Sequence, residues 1–183
     1  MTSGGCEHGQ MLVEVFLESW QLECCGQPTG VGDAVSWQLL AVPADPGSPQ
    51  PGDGLLIGDV QRLDSALVPE GGAASMFVRG GLQALWSGPA DVLGAVSMAG
   101  HLLEDHHAHA LPGGQRTEGV VRRVRLVTRR YRRSPGRGGD LLRVGDDKLR
   151  DIDRSPRWFE HPESTQGEYD WPLGVLVELE VAD

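Results

Sequence analysis

The chain lacks the short motifs that announce common chemistries. Its 183 residues contain no Gly-rich phosphate loop, no Gly-x-Ser-x-Gly elbow and no dinucleotide-binding fingerprint. Nucleotide-dependent and serine-hydrolase mechanisms therefore have no motif to rest on. His-Glu-x-x-His and Cys-x-x-Cys are missing too, which removes the usual zinc signatures. Cysteine is scarce: of three, Cys6 lies in an N-terminal tail and Cys24 and Cys25 are adjacent. An odd, low count builds no disulfide framework, so reduced thiols in a cytoplasmic protein are expected. Long apolar runs are absent as well. The first, Met11 to Leu17, is interrupted by Glu14 and is far too short to span a bilayer. No basic start precedes it, so neither a targeting segment nor a membrane partner is expected.

Positive charge is nearly missing from one half. Residues 1–115 carry only Arg62 and Arg79 against thirteen acids, a net charge of −11, while residues 116–183 come to +1. Nine arginines and one acid, Glu118, crowd into positions 116–137. An acidic protein thus bears one concentrated basic strip.

What is present reads as mainly β. Gly 26 and Pro 12 imply many turns, and 39% hydrophobic residues still make a globular composition. The expected organisation is a flexible tail over 1–10 and one β-rich domain over 11–183. Mobile loops are expected at 43–54 and 132–140. The domain should be a small barrel or sandwich of four to six strands, with short helices inserted between strands. Alternation predicts strands over 11–20, 31–39, 119–131 and 173–181, with shorter ones at 55–60 and 141–144. The turn Gly26–Gly30 suggests that 11–20 and 31–39 form a hairpin that buries Trp37. Short helices are predicted within 61–103, and one turn over 148–153 before the packing candidates Trp158 and Phe159.

The densest stretch is Trp20 to Trp37, WQLECCGQPTGVGDAVSW. It resembles the opening of an uncharacterised family of small bacterial proteins, with the pattern WQxxCCGxPxxVGDxVSW. The resemblance continues through Glu104-Asp105-His106-His107, Gly119 to Arg122 and Gly174 to Leu179. It implies one soluble domain and transfers no catalytic residue.

Three constellations carry candidate chemistry. The segment His101–His109 with Cys24 and Cys25 supplies zinc-type donors, and Cys24, Cys25, His106 and His107 are the set that would bind. Adjacent strand residues point to opposite faces, so at most one of each pair can face inward, and no metal is expected. A nucleophilic Cys24 or Cys25 would need a base, with His106 or His107 as the candidate. The strip from Arg116 to Arg137 could follow a phosphate backbone, but the acidic half is expected to pair with it. Trp20, Trp37, Arg123, Arg125 and Tyr131 are the candidate binding residues. The reading that results is a cytoplasmic binding or interaction module, not an enzyme, with no cofactor. Its partner would be a protein or a small molecule, and nucleic acid is not expected. The alternatives are a metal-dependent or cysteine-based enzyme, and nucleic-acid binding.

Overall fold

A computed structural model describes residues 9–63, 74–106, 115–134, 140–163 and 166–183. Among these residues eleven strands form one sheet, and the two longest are those with the cleanest alternation. They are β1 (Gln10–Glu18), β2 (Ala34–Trp37), β3 (Leu39–Pro43), β4 (Gly54–Arg62), β5 (Ser75–Arg79) and β6 (Leu82–Trp86). β7 (Gly94–Glu104), β8 (Thr117–Arg133), β9 (Leu141–Arg143), β10 (Lys148–Ile152) and β11 (Glu168–Ala182) complete it. The helix α1 (Ser19–Cys24) is the single helix among the described residues. The order β10-β8-β11-β1-β7-β3-β6-β5-β4 closes on itself through an added β7–β4 pairing. Strands β3, β4, β5, β6 and β7 therefore form a five-stranded barrel, and β1, β11, β8 and β10 extend from it as an open sheet. The mainly β barrel expected from the sequence is what the chain forms.

The core face of both parts is continuous. Val15, Leu17, Val175, Val177, Leu179, Val121 and Val124 join Leu39, Ala41, Val60, Phe77, Ala84 and Leu102 in one buried cluster. A second, smaller cluster of Phe16, Val127 and Leu176 lies on the other face of the open sheet, against Leu103 and Leu173. Two irregularities in the β8–β11 pairing set these faces. Arg122 is an extra residue between Leu179↔Val121 and Glu178↔Arg123. That bulge moves Val121 onto the core face beside Val124; unbroken alternation would place it on the face of Arg123 and Arg125. Leu173 is the second extra residue, and Gly174 beside it has φ +150. A Cβ on Gly174 would stand 2.0 Å from the Leu17 carbonyl oxygen, so only glycine lets β1 approach.

Several sequence expectations are corrected. Segments 11–20 and 31–39 do not pair. One edge of β1 is taken by β11 from Gln10↔Ala182 to Glu18↔Gly174, and the other meets β7 in parallel at Val15↔Leu102. The second strand is β2, and it pairs with β8 instead. Trp37 is nevertheless buried, while Trp20, carried onto α1, is 53% exposed. The helices predicted within 61–103 are replaced, among the described residues, by β5, β6 and β7, because Leu82, Leu85 and Trp86 also fit a five-residue strand. The turn expected at 148–153 is the edge strand β10, paired with β8 from Lys148↔Thr128 to Ile152↔Val124. Phe159 packs in the core, but Trp158 stands 67% exposed. Leu67 and Val68, assigned to a helical turn, lie outside the described residues.

Candidate ligand cleft at the sheet junction

β7 belongs to both halves of the molecule, and its partner changes along its length. From Gly94 to Gly100 its outer neighbour is β4, with Gly54 opposite Gly100. By Leu102 and Leu103 the neighbour is β1. At this change of partner the two strands diverge and leave a cleft of about 220 Å³. Its wall carries Leu12 and Glu14 of β1, Leu55 and Ile57 of β4, Phe77 and Arg79 of β5, and His101 of β7.

His101 sits between this cleft and a second hollow beneath the loop after β3, lined by Phe16, Ser48, Gln50 and Leu103. The imidazole is buried, at 5% exposure, and its Nδ1 lies 2.7 Å from Asp53 Oδ1. A carboxylate only accepts, so Nδ1 donates. Among the described residues Nε2 has no hydrogen-bond partner. The Pro/Gly loop supplies Asp53 through a tight turn. Asp53 N–H donates to the Gln50 carbonyl at 3.2 Å, and the Gln50 N–H donates to Asp53 Oδ2 at 2.7 Å. Gly52, at φ +80 after Pro51, gives that turn its type II shape.

The same loop is anchored from its other side. Arg129, on the outer face of β8, makes a two-pronged pair with Asp147 (2.7 and 2.8 Å) and also donates to the Pro49 carbonyl at 3.1 Å. The Asp147 carboxylate raises the pKa of Arg129, so its charge is fixed. Arg143 reaches both Asp147 (3.3 Å) and the Pro49 carbonyl (3.3 Å). The loop thus lies over the second apolar cluster and delivers Asp53 to His101.

The cysteine and histidine candidates meet only in part. His107 and His109 lie outside the described residues. His106 reaches the corner after the thiols: a Cβ on Gly26 would stand 3.0 Å from its Nε2. That nitrogen approaches Glu104 Oε2 at 2.8 Å without hydrogen-bonding alignment. The Cys25 thiol instead donates weakly to the Gln21 carbonyl at 3.7 Å. Loss of water around the sulfur, the Cys24 thiol beside it and the Glu104 carboxylate together raise its pKa. A nucleophilic cysteine needs the opposite shift. The segment from His101 to Glu104 is the buried end of β7, because the alternation through Val96 and Met98 continues into it.

A family model describing a family of unknown function, DUF6578, matches residues 11–181. The chain belongs to that family. No curated protein and no solved structure matches it.

In this DUF6578 chain the arginines are largely taken up by acids. Arg122 pairs with Glu180 (2.6 Å), Arg123 with Asp151 (2.6 and 2.9 Å), Arg130 with Asp170 (2.8 Å) and Arg132 with Glu168 (3.7 Å). Arg125 pairs with Glu14. That pair reaches the acidic first half, as sequence anticipated; the acids of the other four pairs just named are contributed by β10 and β11, the strands next to β8. Arg122, Arg123 and Arg130 each owe a raised pKa first to the hydrogen bond they donate to the acid partner. Of the proposed binding residues, Arg123, Arg125 and Tyr131 share the outer face of β8. Tyr131 lies opposite Tyr169, with ring centroids 6.3 Å apart. Trp20 and Trp37 are elsewhere, and none of the five lines the cleft. Sequence reasoning missed Asp53 and Arg79, and placed Arg129 only in the phosphate-tracking strip. For Asp53 the available signal was the Gln-Pro-Gly-Asp turn, read only as punctuation.

No described helix is long and apolar enough to cross a membrane.

Proposed function

We propose that this protein is a non-catalytic binding module for a small organic molecule, held in the cleft where β1 and β4 part from β7. One observation carries the reading. A buried His101, fixed by Asp53, faces a hollow where Leu12, Leu55, Ile57 and Phe77 stand beside Glu14 and Arg79, and apolar side chains with a few placed polar groups are what a ligand site offers. Among the described residues this cleft's lining supplies no serine, cysteine or lysine that His101 could activate. The raised Cys25 thiol argues in the same direction. We further assign the protein to a bacterial cytoplasm. The opening motif resembles small bacterial proteins, and exposed thiols at Cys24 and Cys25 suit a reducing compartment. Nucleic acid is not the partner we favour, because the arginine strip meets its acids within the sheet.

A test is amide-resolved NMR during titration with a set of neutral and anionic ring compounds. Shifts concentrated at residues 12–14, 54–57 and 100–102 are expected. If no compound moves those amides at millimolar concentration, the reading fails.

A further inference from the structure

We infer that the molecule bound in this cleft is a small apolar ring or chain bearing one anionic group, with Arg79 as the residue that selects the charge. The inference rests on the binding reading above and adds the ligand class. Its first support is the distribution of exposed apolar side chains. Leu12, Leu55 and Ile57 are 57%, 66% and 46% exposed, and all three line this one hollow. Clustered exposed aliphatics at a cavity mouth mark a surface that a partner covers.

The second support is charge. The cleft wall carries two ionic side chains besides the His101–Asp53 pair, Glu14 and Arg79. Glu14 is neutralised by Arg125 across the open sheet. Both Asp53 oxygens are engaged, one with His101 and one with the Gln50 N–H. Arg79 makes no ion pair among the described residues, although it is one of only two basic side chains in the first 115 residues. Thirteen acids surround it in sequence, and none of the described ones pairs with it. An unpaired guanidinium beside apolar rims matches a carboxylate, which it can take through two parallel N–H donors. His101 Nε2 is left as a second polar point for a hydroxyl or ring N–H of the ligand.

Size narrows the class further. About 220 Å³ lies below the roughly 300–1,000 Å³ of sites for drug-sized molecules. Nucleotides and coenzymes are therefore too large, and a compact aryl or short-chain acid fits.

The test uses the full chain and two probes of one shape, 1-naphthoate and 1-naphthamide, by isothermal titration calorimetry at low salt. The acid should bind about tenfold tighter or more, the lower end for a charge-assisted contact. In Arg79→Gln, an exposed substitution that leaves the core untouched, the preference should fall to near unity while the amide binds as before. If the amide binds wild type as tightly as the acid, or the acid preference survives Arg79→Gln, the ligand class is wrong and the cleft reading stands. If neither probe binds, both fall.

Discussion

The barrel and the open sheet are made from the same kind of strand, yet they are held together differently. In the barrel every strand has two neighbours and the enclosed face is aliphatic and aromatic: Leu39, Ala41, Val60, Phe77, Ala84 and Leu102 are all nearly inaccessible. The open sheet shares that apolar layer on its inner face but lays arginine–carboxylate pairs across the outer one. Closure removes edges, whereas an open sheet ends in a strand with unmet backbone groups. Here the edge is β10, and Lys148, Arg150 and Asp151 stud it with charge, a usual guard against edge-to-edge association. The comparison also explains why the cleft lies between the halves. Only at β7 does one strand serve both, and only there must two neighbours part.

If apolar filling is what holds the barrel, its centre should be the most sensitive place in the molecule. Phe77 is 1% exposed and touches the strand opposite so closely that a Cβ on Gly58 would meet its ring at 2.6 Å. Phe77→Ala should lower stability by about 3–5 kcal/mol, as truncation of a buried aromatic does through lost transfer energy and a residual cavity. Chemical denaturation measures it directly. A loss under about 1 kcal/mol would mean the barrel is loosely filled, contrary to the packing density of protein interiors.

The two longest strands, β8 and β11, were legible because their period of two runs over many residues. β11 alternates Val175, Val177, Leu179 and Val181 against Glu178 and Glu180, and no helix fits that pattern. β5 and β6 are five residues each, and over that length apolar spacing does not separate a strand from a helical turn. Partners were less readable than elements. The hairpin expected from Gly26–Gly30 gives way to α1, and β1 pairs with the far C-terminal strand, a choice no local signal encodes. The cleft was the least readable part. His101 looked like one member of a polar histidine tract, and its partner Asp53 lies 48 positions away in a stretch that reads only as turn chemistry. Two neutral-looking local patterns become a site only through the β4–β7 register.

The next largest effect is expected where the two halves are tied together by the loop over the second apolar cluster. Asp147 is 13% exposed and holds Arg129, itself 10% exposed, through two hydrogen bonds. Asp147→Ala leaves that guanidinium partly buried without its carboxylate, and should cost about 1.5–3 kcal/mol, the range for hydrogen bonds to charged groups. His101 side-chain NMR signals should shift in the same variant, since the loop carries Asp53. An unperturbed His101 would separate the anchor from the cleft. Replacing both partners, Arg129→Met with Asp147→Leu, should recover much of the loss, because apolar substitutes avoid the desolvation of two charges.

Deleting an exposed pair should do far less. Arg123 and Asp151 are 49% and 65% exposed, and solvent screens their attraction. Arg123→Ala should leave the denaturation midpoint within the scatter of an ordinary surface substitution. The same pairing predicts no gel shift with duplex DNA or RNA even at low salt. A retarded band that weakens by about one log-log unit per neutralised phosphate would show that the acids do not hold the strip.

The smallest expected effect is also the one whose sign is most diagnostic. Hydrogen bonds from Arg130 and Lys148 lower the pKa of Asp170 from 3.8 to about 2. A carboxylate with a depressed folded-state pKa binds its proton less readily when folded, so it contributes stability above its ordinary value and loses that contribution as acid is added. The window therefore runs from about pH 4 down to pH 2. Asp151 and Glu180 are lowered as well, by hydrogen bonds from Arg123 and Arg122, so each should also lose its contribution as acid is added. Asp170→Asn should be slightly less stable than wild type at pH 7, where the side chain is 37% exposed and screening keeps the difference small. The two denaturation curves should then converge near pH 2, because the wild-type carboxyl is by then becoming neutral like the amide. A gap that persists or widens with acid would show that Arg130 and Lys148 do not hold the Asp170 carboxylate in its charged form.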